Sequence, residues 1–227
     1  MVIYLFLDTE DHQFFPQHDR QIIQTVCNRT ELEIRGILPN LPRAIEVAAQ
    51  TGTFVIPETG EGGSAVAPAR INWTVDPSRL GGIAGIAQSS LRHTLFHECH
   101  HLVRFARLRN PEVAPTLMDR VISEGLATAF ERDFSGRRPP WGEYPGDVLA
   151  WVGELLKAPE SERWDQWMYR HPDGRRWLGY RAGTYIADCA ISESGQSAAE
   201  LVFTPNEEIL KMARIDAQRA AGRPTSG

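Results

Sequence analysis

The chain has 227 residues, 42% of them hydrophobic and 23% charged, and a formal net charge of −5. This is an ordinary globular composition, enough for one sizeable core or for two lobes sharing a cleft, and its acidic balance offers no basic footprint for nucleic acid. Cys27, Cys99 and Cys189 are odd in number and far apart, so no disulfide framework is implied, and no apolar run approaches a membrane span.

Residues 2–7 are apolar and read as a buried strand. They follow no basic residue and meet Asp8, Glu10 and Asp11 at once, so they read as a strand rather than a signal peptide, and the protein is expected to be soluble and cytoplasmic. Residues 8–18 read as a polar loop with His12 and His18 at the surface. Asp19 then caps a helix over about 20–38, whose imperfect apolar stripe is Ile22, Ile23, Val26, Leu32, Ile34 and Ile37 and which Pro39 and Pro42 end. Residues 44–49 and 53–56 are short extended segments split by Gly52. Residues 58–64 read as a glycine-rich loop with neither a Walker lysine nor a G-x-G-x-x-G pattern, so no phosphate role attaches to it. Residues 71–75 alternate as a strand.

Residues 91–103 carry the pattern H-E-x-x-H as His97, Glu98 and His101, and four of the seven histidines fall between positions 93 and 101. As a helix, with Ser89 or Ser90 as N-cap and running to about Leu108, it places Leu91, Leu95, Cys99 and Leu102 on one apolar face. His97 and His101, four apart, project from one side, with Phe105 and Leu108 further along it. Two neutral imidazoles so spaced can grip one Zn²⁺, and Glu98 can reach a metal-bound water as general base. The pattern arises by accident in about one or two of every hundred chains of this composition, mostly in loops or on polar helices. Burying two histidines and a glutamate with neither metal nor partner is costly. Cys99 reads as a small buried apolar residue. His93 is one turn back on the same stripe and lines or braces the site, and His100 points elsewhere and reads as packing or as a brace for a ligand.

Asn110-Pro111 breaks this helix, and a second follows over about 114–134, with Leu117, Met118, Val121, Leu126 and Phe130 as its apolar positions. Gly125 inside it weakens the helix, which is tolerated where another backbone approaches closely. Glu124 beside it lies 23 positions after His101, enough for the chain to turn and return, and is the favoured third ligand, with Glu112 and Asp119 as the alternatives. Residues 136–145 form a loop that divides the N-terminal α/β part with the metal-binding helices, 1–135, from a helical C-terminal lobe, 136–227. Helices are expected over about 146–157, 160–169, 178–193 and 206–217, the last started by Thr204-Pro205, with Trp151, Trp164, Trp167 and Trp177 as lobe core and a frayed tail from about 218.

His-Glu-Cys-His-His, then Leu117 to Ala127, then Gly179 to Tyr185, in that order, resemble the predicted Zn-dependent proteases of the domain-of-unknown-function 2268 family, over roughly residues 40–215. The resemblance implies a gluzincin: one zinc ion held by His97, His101 and Glu124, with Glu98 as base. The metzincin pattern is excluded, because Arg104 and Arg107 stand where it needs Gly and His. Thr128 stands where thermolysin-like gluzincins carry an Asp that orients a ligand histidine. A zinc peptidase also needs an oxyanion donor, and glycine-flanked Tyr180 is the first candidate, ahead of Tyr185 and His171. The expectation is therefore a zincin-like α+β metalloprotease fold and a zinc metallopeptidase acting on a peptide or protein. The alternatives are a non-catalytic zinc-binding regulatory module on that fold, or a zinc hydrolase of a non-peptide amide.

Overall fold

The computed structural model describes residues 3–7, 15–38, 40–67, 69–110, 112–159 and 163–215, in two compact units, 1–107 and 108–227. His12, Pro39, Pro111 and the tail from 218 lie outside the described residues. The fold is α+β, a small sheet followed by a mostly helical body.

In the first unit, β1 (Ile3–Leu7), β2 (Ile45–Thr51), β3 (Glu61–Ala67) and β4 (Arg70–Val75) form one sheet in the order β1-β2-β4-β3. β1, β2 and β4 are parallel; β3 returns antiparallel on the edge. Parallel β1 and β2 need a crossover, which α1 (Gln17–Ile37) supplies. The period of two is clean in β2 and β4, which turn Ile45, Val47 and Ala49, and Ile71, Trp73 and Val75, into the core.

Three expectations change here. The helix α1 begins at Gln17, so His18 is helical and Asp19 lies in the first turn rather than capping it. Its buried positions are Ile23, Cys27, Thr30, Glu31 and Ile34, while Leu32 is 73% exposed. Residues 53–56 are not a strand; only Ile56 makes an isolated bridge, to Glu61. The glycine-rich stretch is largely β3, an edge strand whose Gly62 and Gly63 conceal it from a hydropathy pattern.

The histidine-rich helix also starts earlier than its serines imply. A helical run opens at α2 (Gly82–Ile86), after Gly81 at φ +86°, passes through a wide π turn (Ala87–Leu91), and continues as α3 (Arg92–Leu108). Ser89 and Ser90 sit inside this run, so neither is its N-cap. A π turn inserts an extra residue and re-phases the helix before it. Arg92, where α3 begins, donates to Glu33 of α1 at 2.6 and 3.1 Å.

In the second unit, α4 (Leu117–Ser135) starts at Thr116, which forms a capping box with Asp119, and ends at Gly136 with φ +76°. It packs along α7 (Leu178–Ser194); α5 (Val148–Leu155), α6 (Trp164–Met168) and α8 (Asn206–Met212) complete the helical set. A Cβ on Gly125 would lie 2.1 Å from the carbonyl carbon and oxygen of Gly183, and one on Gly183 would lie 2.1 Å from the Val121 carbonyl oxygen. The expected close approach at Gly125 is therefore present, and the approaching backbone is α7. Of the four tryptophans expected in the core, Trp167 and Trp177 are buried. Trp164 is 41% exposed under the Arg120 guanidinium, Trp151 is half-buried beside Arg175, and Trp141 takes a core position instead. Among the described residues no helix is long and apolar enough to cross a membrane.

Candidate metal centre

Helix α3 is wound so that two adjacent faces have different neighbours. Leu95, Phe96, Cys99 and Leu102 are in the core. Cys99 behaves as a buried apolar residue: burial pushes its thiol well above the ordinary range, and it pushes Cys27 on α1 up to about 12. Both stay protonated at neutral pH, and Cys99 keeps to the core face with Leu95 and Leu102 despite its place inside the motif.

On the next face, His97 and His101 are buried, and their Nε2 atoms lie 3.1 Å apart. The rings are 4.8 Å apart at 74°, and Phe105 stacks on His101 at 5.0 Å and 12°, which fixes the second ring. Two nitrogens each bonded to a tetrahedral zinc at about 2.0–2.1 Å lie about 3.3 Å apart, so this pair fits one ion. The expected apolar cover holds at Phe105 but not at Leu108, which is 37% exposed.

Glu98 is aimed at the sheet edge. Its Oε2 accepts the Ala65 N–H of β3 at 2.8 Å, and one turn back the Thr94 hydroxyl donates to Glu61 of β3 at 2.8 and 2.9 Å. Buried Glu61 also accepts the Trp73 indole N–H at 2.7 Å. Gly63 makes this contact sterically feasible. A Cβ there would lie 2.4 Å from Thr94 Cγ2, 2.8 Å from Glu98 Cγ and 2.9 Å from Glu98 Oε1. Glu61, Gly63 and Ala65 are the residues that pattern reading missed. The adjacent glycines at 62 and 63 were the available signal, as glycine in a strand marks close approach.

A family model described as a predicted Zn-dependent protease, domain of unknown function 2268, matches residues 21–211. The chain belongs to this family. A curated relative, the uncharacterized protein YjaZ of Bacillus subtilis strain 168, is 28% identical over 130 residues, 53% of this chain and 50% of its own length. The chain therefore spans about half of that relative.

The remaining candidates of this family member lie in the second unit. Glu124 is half-buried on α4 between buried Ser123 and Gly125. Asp119 is committed to its capping box and accepts the Asn206 side-chain amide at 2.6 Å, and Glu112 is exposed. Tyr180 is half-buried in the first turn of α7, its ring 5.6 Å from Trp177 and 6.0 Å from Tyr169. Tyr185 meets Tyr144 edge-on at 5.4 Å, and His171 pairs through Nδ1 with Asp173 at 2.9 Å. In the first unit His100 is fully buried and His93 half-buried.

Proposed function

We propose that the protein is a zinc-dependent metallopeptidase on a zincin-like fold, with His97, His101 and Glu124 holding one zinc ion, Glu98 as general base and Tyr180 as oxyanion donor. The observation that carries this reading is the buried imidazole pair, spaced for one ion, with a carboxylate fixed beside it by the sheet edge. Family membership supports the choice of metal. Glu124 is favoured over its rivals because Asp119 is engaged elsewhere and Glu112 is exposed.

Zinc held by His97, His101 and Glu124 would supply a Lewis acid for the scissile carbonyl and would acidify the attacking water. Everything else falls to the chain. Glu98, held through one oxygen by Ala65 N–H, takes a proton from the attacking water with the other and returns it to the leaving amine. The Tyr180 hydroxyl donates to the oxyanion. A peptide is favoured over other amides because β3 is a sheet edge directly against Glu98, and an extended chain can add to such an edge.

The test is elemental analysis of untagged protein together with hydrolysis of a random peptide library. About one zinc per chain, lost in His97→Ala and Glu124→Ala, with library cleavage by the parent, is the expected result. Failure to take up zinc on titration overturns the metal reading. Zinc bound without hydrolysis leaves the non-catalytic zinc-binding module.

A further inference from the structure

Within the second unit a cavity of about 350 Å³ opens between α4, the loop after it and α7. Its inner wall is settled: Arg132 of α4 grips Asp188 of α7 with two hydrogen bonds of 3.0 and 2.8 Å, and the Tyr144 hydroxyl donates to the same carboxylate at 3.0 Å. Burial and the Asp188 charge hold the Tyr144 phenol up at about 12, so it stays a donor. The rest of the lining is not settled. Thr128 is fully buried, and its hydroxyl has no hydrogen-bond partner among the described residues. Gly142 closes over it; a Cβ there would lie 2.7 Å from Thr128 Cγ2. Arg138 and Glu143 are exposed at the cavity, and neither makes an ion pair among the described residues.

Resting on the peptidase reading, we propose that this cavity is the substrate subsite for a carboxamide side chain, glutamine or asparagine. Matching donors to acceptors selects the carboxamide. With Arg132 and Asp188 satisfying each other, the lining leaves one cation, one anion and one hydroxyl. A carboxylate suits Arg138 and meets repulsion from Glu143; an ammonium does the reverse. An aliphatic side chain desolvates Arg138 and Glu143, leaves the buried Thr128 hydroxyl without a partner, and pairs none of the three. A carboxamide carries an acceptor oxygen for Arg138 and two N–H donors for Glu143 and Thr128. Thr128 and Arg132 follow Glu124 by one and two helical turns, about 6 and 12 Å along α4. An extended peptide rises about 3.3 Å per residue, so the selected side chain lies roughly two to four residues from the cleaved bond.

The test uses zinc-loaded Glu98→Gln protein and calorimetric titration with hexapeptides that differ at one position, carrying Gln, Glu, Lys or Leu, scanned along the peptide. At one position the Gln peptide binds roughly tenfold more tightly than the other three. Arg138→Glu moves the preference to Lys, and Glu143→Arg moves it to Glu. Thr128→Val raises the melting temperature of the free protein, because it deletes a buried hydroxyl with no partner, and selectively weakens the Gln peptide. Equal affinities at every position, or charge reversals that leave the ranking unchanged, overturn the subsite. The parent enzyme separates the two readings: cleavage without side-chain ranking keeps the peptidase and removes the subsite, whereas ranked binding without cleavage keeps the subsite and removes the peptidase.

Discussion

Helix α3 is pinned through its side chains and helix α4 through its backbone. On α3, Thr94 and Glu98 reach across to the β3 edge, and Gly63 gives them room. On α4, Gly125 and Gly183 let two main chains touch with nothing between them. The first arrangement fixes the angle of the Glu98 carboxylate and rests on side chains, which yield at lower cost than a main chain. The second fixes a helix axis and has no such release. The two helices should therefore fail in different ways when disturbed.

The largest effect is expected at the group that α3 presents. Glu98→Gln keeps the carboxylate's shape and its contact with Ala65 but cannot accept the proton. Turnover of any cleaved peptide should fall about 10³-fold with zinc content unchanged; an active variant sinks the mechanism. Gly125→Ala puts a methyl group into the Gly183 main chain, and denaturant unfolding should show a loss of at least about 3 kcal/mol or no folded protein. Gly63→Ala tests the contrast, because its methyl meets the Thr94 and Glu98 side chains rather than a main chain. Stability should fall by less than about 2 kcal/mol while kcat falls about 10- to 100-fold, as expected for a displaced base. Equal stability losses at the two glycines would break the comparison.

A smaller effect separates the units by pH. The Cys27 thiol has an ordinary value of 9.0 and is raised by burial to about 12. A raised value in the folded state means that the stabilisation is whole below about pH 9 and is lost as the pH climbs toward 12. The loss is about 1.4 kcal/mol per pH unit inside that window. Cys99, raised by the same cause, adds to it. Hydrogen exchange between pH 9 and 11 should show α1 opening before α4, and Cys27→Ala should reduce the alkaline loss. Simultaneous opening in both units would argue against the thiols.

Features written in local periodicity were legible without any tertiary information. Four-residue spacing put His97 and His101 on one side of a helix, and the structure brings their Nε2 atoms to 3.1 Å. Gly125 inside an apolar helix announced a close backbone contact before its partner was known. The stretch at 58–64 stayed illegible because Gly62 and Gly63 carry no hydropathy signal. Only pairing with β4 and the space beside Thr94 and Glu98 make it a strand. The start of the histidine-rich helix was equally hidden: Ser89 and Ser90 read as caps, but the run upstream continues through them as a π turn. Spacing along a chain encodes which face a side chain occupies. What that face meets depends on residues distant in sequence, and only the tertiary structure brings Ala65 to Glu98 and Gly183 to Gly125.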